Sequence, residues 1–417
     1  MKATLVIDNI SNLITLKGEN KPRAGLDMKD IGLIKNGIVA VDGDKIIYVG
    51  EGSLPSHIEI NEKTVFIDGK DKTVTPGLID SHTHLVHGGS RENELAMKLE
   101  GVEYLDILKK GGGIHSTVKA TKEAGFEELY EKAKKSLDTM ISYGVTTVEA
   151  KSGYGIDDFD VELKQMDVVK KLNEDHPIDI VSTFMGAHAI PEKYEDNPDR
   201  FVDIIIEEMI PEVSKRKLAK FCDVFCEEGV FTIEQSRKIL EAGRKYGLIP
   251  KIHADEIKPL GGAELAAEIN CITADHLIAA SNEGIKKMAE KKVIANLLPG
   301  TSFNLQTGKF ARAREMIEAG VPISLSTDYN PGSCPTENLQ LIMSFASLIM
   351  KMTPEEVITA VTINGACALN LEEEKGSLEK GKKADLVIFD VPNLNYIIYH
   401  FGINHVEKVI KDGIVIN

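Results

Sequence analysis

A chain of 417 residues, 42% of them hydrophobic, exceeds what one small core can organise and reads as a barrel-sized domain with an accessory module. Its 65 acidic residues against 49 basic ones give a formal net charge of −16, which argues against nucleic acid or an anionic membrane as partner and requires any anionic substrate to be met by a local cation. No segment approaches the roughly 18 apolar residues of a membrane span, the run at Thr4 to Ile7 is too short for a signal peptide, and the five scattered cysteines suit a reducing compartment, so a cytoplasmic location is expected.

From Met1 to about Lys72, short β-type runs (Thr4 to Ile7, Ile38 to Val41, Lys45 to Val49, Thr64 to Ile67) alternate with the turn residues Asp42-Gly43-Asp44 and Asp68-Gly69-Lys70. The C-terminal runs Ala384 to Phe389 and Val406 to Ile416, with the turn Lys411-Asp412-Gly413, repeat this grammar. Residues 1–73 and 372–417 are therefore expected to build one β-sandwich from both chain ends.

Between residues 74 and 371 strands alternate with amphipathic helices. Leu129, Ala133, Leu137, Met140 and Ile141 share a helical face, and Gly144 ends that helix before the strand Val145 to Ala150. Thr232 with Gln235 makes a capping box for a second helix that stops at Gly247. Eight strand-like segments end near Ser81, Lys151, His188, Glu227, His253, His276, Leu298 and Asp328, which predicts an α/β fold, a (β/α)8 TIM-like barrel over 74–371.

The residues that could do chemistry stand where these strands stop. His82 and His84 point the same way off an extended backbone after the first strand; Lys151, His188, His253, His276 and Asp328 end later ones. In such a barrel all these ends open on one mouth, so residues distant in sequence become neighbours. Three imidazoles and a carboxylate suit one divalent ion, zinc or iron(II), with a position left for water, and an ion there brings the pKa of water down to about 7; hydrolysis is the expected chemistry. His276 reads as a fifth ligand or as a base that orients the nucleophile, and Glu256, three residues beyond His253, as a proton shuttle to a leaving nitrogen. His57, His115, His176, His400 and His405 lack this placement and read as surface or packing residues, and His87 is an alternative to His84. Cys222 and Cys226 sit in an apolar run without a second pair and read as packing. In barrels where a lysine carbamate bridges two metals the lysine belongs to the fourth strand, whereas Lys151 lies on the second and the fourth offers Glu227 and Glu228 instead, so one metal is expected. Gly111-Gly112-Gly113 lacks the ending of a phosphate loop and reads as a mobile loop at the barrel mouth.

Pro76-Gly77-Leu78-Ile79-Asp80-Ser81-His82-Thr83-His84, the later His253, His276 and Asp328, and the split sandwich together resemble the amidohydrolase superfamily over the whole chain. Within it, Gly88-Gly89-Ser90-Arg91, Lys151-Ser152-Gly153-Tyr154-Gly155 and Ser326-Thr327-Asp328-Tyr329-Asn330-Pro331-Gly332-Ser333 resemble the imidazolonepropionase family of histidine degradation. The resemblance implies hydrolytic opening of 4-imidazolone-5-propanoate to N-formimidoyl-L-glutamate. It also implies a metal held by His82, His84, His253 and Asp328, a substrate site of Arg91, Tyr154, His188, Glu256, Asn330, Gly332 and Ser333, and Tyr104 assisting. Glu256, His276 and Asp328 are the expected proton-handling residues. Arg91 offers the planar fork that a propanoate needs, and Tyr154 and His188 offer further donors.

Two other functions fit the same pattern. A heterocycle deaminase shares the His253-x-x-Glu256 arrangement but needs no carboxylate clamp, and a non-catalytic scaffold would have lost ligands that are all present here. The superfamily's leaning towards dimers implies a homodimer, for which the Met-rich stretch Leu341 to Met352 is either an interface or core.

Overall fold

The computed structural model describes residues 1–100, 112–156, 158–306 and 308–416; Tyr104 and Gly111 lie outside the described residues. Eight parallel strands form the central sheet in strict chain order: β1 (Leu78–Asp80), β2 (Val145–Lys151), β3 (Asp179–Ala187), β4 (Phe221–Cys226), β5 (Ile249–Ala254), β6 (Thr273–His276), β7 (Ile294–Leu297) and β8 (Ile323–Leu325). The barrel closes just beyond β1 and β8, where Asp328 N donates to His82 O at 3.0 Å and His84 N to Tyr329 O at 2.8 Å. The predicted barrel is the observed one, and each predicted strand end falls within three residues of an observed end.

Helices cover the outside because one stripe of each is apolar. In Phe126–Ser142 the buried side chains include Leu129, Ala133, Leu137, Met140 and Ile141, the face read from the sequence. Gly144, at φ +92, turns the chain into β2. The capping box at Thr232 is formed in both directions, Gln235 N donating to Thr232 Oγ1 and Thr232 N to Gln235 Oε1, and it opens Ile233–Lys245. Met343, Met350 and Met352 are buried, so the Met-rich stretch is core, while Leu348 and Ile349 remain exposed.

Both chain ends meet in two further sheets. One runs Lys45–Glu51, Gly37–Asp42, Leu5–Ile10, Val65–Asp68; the other runs Ile414–Val415, Val406–Lys411, Leu386–Phe389, Thr73–Pro76, Asn12–Ile14, Leu33–Ile34. The second sheet is a composite, because Leu386 pairs with Pro76 and Phe389 with Thr73. Leu5, Ile7, Val39, Val41, Leu386, Ile388 and Ile410 fill the space between the sheets, each contributing about 1.5–3 kcal/mol by burial. Thr73–Pro76 thus leads directly from the composite sheet into β1 and the histidine pair.

Candidate metal centre and substrate site

The pincer is aimed by its neighbours. Asp80, at the end of β1, accepts from Thr327 N at 3.0 Å and Thr327 Oγ1 at 2.6 Å, locking the ends of the first and last strands together. That lock brings Asp328 Oδ1 to 3.5 Å from His82 Nε2 and 3.7 Å from His84 Nε2. Ligand atoms of His82, His84 and Asp328 lie within 4.8 Å of one another, and so do those of His82, His253 and His276. His82 therefore belongs to both triads. The Thr301 hydroxyl donates to Asp328 Oδ2, which leaves Oδ1 for the centre. Asp328 and His276 hold left-handed backbone conformations, φ 56 and 71, unusual for residues with a Cβ and the kind of strain that functional sites retain.

The donor atoms fit a cation. His82 Nε2 and His253 Nε2 are buried without a hydrogen-bond partner among the described residues, each an outlay of about 1–3 kcal/mol that a bound ion would offset, and the Nδ1 atoms of His84, His253 and His276 also lack one. Burial first, then positively charged neighbours, push His82, His84 and His276 well below the ordinary imidazole range, so these rings are neutral and offer lone pairs. Burial lifts Asp328 to about 6 and, with the charge of Asp328 added, Glu256 to about 8; a cation between them would draw both down. Among the described residues His87 joins neither triad, its Nδ1 lying 3.0 Å from Lys132 Nζ, and His57, His115, His176, His400 and His405 join none.

The substrate side is built from loops. Arg91 is held side-on by Glu94, Nε to Oε1 and Nη2 to Oε2, each at 2.9 Å, while Glu94 Oε1 also accepts from Gly113 N at 2.7 Å. Gly113 thus docks onto the residue that orients Arg91. A Cβ on Gly332 would lie 2.0 Å from Arg91 Nη1, so a side chain there would push the guanidinium out of its present place. Asn330 shapes that loop: its Oδ1 accepts from Gly332 N at 2.8 Å and Ser333 N at 2.7 Å, and its Nδ2 donates to Asp328 O at 2.7 Å.

His188 stacks on His84 with ring centroids 4.9 Å apart, and Tyr154 lies 5.5 Å from His188. Burial lowers His188 to about 4, so the ring is neutral. The hydrogen-bond network assigns its Nδ1–H to Gly153 O at 2.9 Å, which turns Nε2 into an acceptor rather than the donor expected from the sequence. Glu256 Oε2 stands 3.6 Å from His276 Nε2. Glu227 steadies the loop beside it, accepting from Ile257 N at 2.8 Å and Lys258 N at 3.2 Å, so the fourth strand supplies a support rather than a bridging ligand. Sequence reasoning missed Glu94, Thr301, Asp80 and the support given by Glu227. Glu94 carried a signal, its i+3 spacing from Arg91 at a helix start; the others act through space.

The barrel, its composite sheet and a buried cluster of histidines and aspartate at the strand ends define a class of metal-dependent hydrolase. A family model for the amidohydrolase family matches residues 73–417, and the chain belongs to that family. Within it the chain falls among the imidazolonepropionases. It is 63% identical over 413 residues to the imidazolonepropionase of Alkaliphilus metalliredigens (strain QYMF), covering 99% of this chain and 98% of that one. It is 60% identical over 416 residues to that of Alkaliphilus oremlandii (strain OhILAs), covering 100% and 98%. Among solved structures, atrazine chlorohydrolase from Arthrobacter aurescens TC1 complexed with zinc matches with a TM-score of 0.72 at 17% identity, covering 99% of this chain and 94% of that one. An adenosine deaminase from Xanthomonas campestris with bound zinc matches with a TM-score of 0.69 at 18% identity, covering 99% and 93%. At these identities the two structures share the fold. Family and donor set together indicate a metal ion.

Proposed function

We infer that the chain hydrolyses 4-imidazolone-5-propanoate to N-formimidoyl-L-glutamate in histidine degradation, using one zinc or iron(II) ion held by His82, His84, His253 and Asp328. The observation that carries this reading beyond a generic metallohydrolase is Arg91. Glu94 takes the Nε and Nη2 side of its guanidinium, leaving Nη1, against Gly332, turned to the loop of Asn330 and Ser333. A carboxylate-bearing substrate supplies the complementary group.

When bound, the ion makes hydroxide available from water at neutral pH and polarises the ring carbonyl. The chain's own residues do the rest. Arg91 pairs with the propanoate, assisted by Tyr154 and the Ser333 hydroxyl, and His188 Nε2 accepts from a ring N–H. Asp328 and His276 take up the proton that water loses and hold the oxyanion. Glu256, 3.6 Å from His276 Nε2, receives that proton from His276 and delivers it to the departing ring nitrogen, so the proton balance closes. The C–N bond of the cyclic amide breaks, its carbon leaving as a carboxylate and its nitrogen as part of the formimidoyl group, so no ammonia forms.

The test is a stopped assay on freshly generated imidazolonepropionate with parallel product and ammonia determination. Loss of ultraviolet absorbance with stoichiometric N-formimidoyl-L-glutamate and no ammonia is expected. Ammonia release would instead indicate a deaminase, and no turnover by metal-replete protein would remove the substrate assignment. We further propose a cytoplasmic homodimer, a state that analytical ultracentrifugation measures directly. Among the described residues no helix is long and apolar enough to cross a membrane.

A further inference from the structure

Barrel interiors are usually layered with Val, Ile and Leu. Part of this interior is instead charged: Glu149 and Lys151 from β2, Asp223 from β4, Lys251 from β5 and Asp275 from β6 form one cluster, with every side chain fully buried. Lys151 Nζ lies 2.6 Å from Asp223 Oδ2, 3.1 Å from Glu149 Oε1 and 3.4 Å from Asp275 Oδ2. Lys251 Nζ lies 2.8 Å from Glu149 Oε2. Both aspartates are shared with the metal centre through the same oxygens: His82 Nδ1 is 2.6 Å from Asp275 Oδ2, and His253 Nδ1 is 3.1 Å from Asp223 Oδ2. A chain of close contacts results, His82 to Asp275 to Lys151 to Asp223 to His253, hydrogen-bonded between His82 and Asp275 and between Lys151 and Asp223, and an ion-pair contact at its other two links.

We propose that Lys151 is a positioning residue of the metal centre, holding Asp275 and Asp223 so that His82 and His253 both turn Nδ1 to a carboxylate and Nε2 to the ion. This rests on the reading of those two histidines as ligands. Metal-bound imidazoles characteristically anchor their second nitrogen in this way, and the anchor fixes tautomer and ring orientation. Stability alone does not account for five buried charges, because an apolar layer of equal volume is commonly as stable or more so. The geometry also excludes a carbamate on Lys151, whose negative charge would face three carboxylates at contact distance.

The test measures the zinc dissociation constant of the full-length protein by chelator competition, and the visible absorption of its cobalt(II)-substituted form. The variants are Asp275→Asn, Lys151→Met, the two combined, and His84→Ala, with the melting temperature of each chelated protein as a check on folding. Each single variant in the cluster is expected to weaken zinc binding about 10- to 100-fold and to shift the cobalt bands. The double variant is expected to lose less than the product of the single losses, because both act along one chain of contacts. Lys151→Gln, nearly isosteric, replaces Lys151→Met if the latter does not fold. Zinc affinity within twofold of the parent and unchanged cobalt bands in folded variants would overturn the proposal, whatever the melting temperatures do. His84→Ala separates the two readings: if it too retains parental affinity, the ligand assignment fails, and if it alone loses zinc, only the role of Lys151 fails.

Discussion

Arg91 divides its guanidinium between two tasks, and the division predicts how its neighbours behave. With the Nε and Nη2 edge spent on Glu94, Nη1 is the nitrogen left beside Gly332 in the substrate loop. Arg91→Ala is expected to raise KM about 10- to 100-fold with a smaller change in kcat, equivalent to the about 1.5–3 kcal/mol of a charge-assisted hydrogen bond. An equal fall in kcat at unchanged KM would place Arg91 in the transition state instead. Glu94→Gln keeps the arginine but loosens its seat, so KM is expected to rise by less than in Arg91→Ala while the metal content of the purified protein stays at the parental level. At this scale the gathering of His82, His84, His253 and Asp328 was legible because they stand at strand ends. Glu94, Thr301 and Asp275 were harder to read, since an anchoring role is fixed by which atom a side chain meets across the barrel. The proton on His188 was misread for the same reason: its direction is set by the Gly153 carbonyl, which no pattern of residue types reveals.

Among the elements, the short helix Pro354–Ala360 shows how one carboxylate secures a helix start. Glu356 closes a capping box with Thr353, accepting from Thr353 N at 2.8 Å, and pairs with Arg314, whose Nη1 donates to Oε1 at 3.1 Å. Burial opposes ionisation of Glu356, but the Arg314 and Thr353 hydrogen bonds outweigh it and hold the carboxyl below its ordinary range. A lowered folded-state pKa contributes stability that is present above the unfolded value of about 4.3 and is lost as pH falls through the folded value. Glu356→Gln is therefore expected to cost about 1–3 kcal/mol at pH 7 by urea unfolding, with the difference from the parent shrinking below about pH 4. The same loss at pH 3.5 and pH 7 would contradict this. The capping box at Thr232 and the face of Phe126–Ser142 were readable because both are local patterns. Asn12–Ile14, Leu33–Ile34 and Thr73–Pro76 escaped notice because two to four residues carry no usable period, and their partners lie elsewhere in the chain.

The whole molecule is joined by charge as well as by apolar packing. Lys375 and Lys411 bridge Asp179 at the start of β3 to Asp385 of the C-terminal segment, Lys375 Nζ standing 2.6 Å from Asp385 Oδ2 and Lys411 Nζ 2.9 Å from Asp179 Oδ2. Lys375→Met strips one partner from buried Asp385, which keeps Lys411 Nζ at 3.3 Å and Asp412 N at 2.9 Å, and is expected to destabilise the chain by about 1–3 kcal/mol, read as a lower melting temperature with the metal affinity retained. The barrel was legible from the alternation of strands and helices, and all but one of the expected strand ends, the one near Leu298, carried a polar residue. Its charged interior was not: Lys151 read as a strand-end residue at the mouth, and nothing in the pattern singles out Glu149, Asp223, Lys251 or Asp275 until the closed sheet points them at one another. The account's central claim is that one metal site, built from both ends of the strand series, drives ring opening. It is tested most directly by titrating chelated protein with zinc or iron(II) while following turnover of imidazolonepropionate. Activity rising in proportion to added ion and levelling at one equivalent per chain is the predicted result; full turnover in the chelated protein, or a plateau at two equivalents, would contradict it.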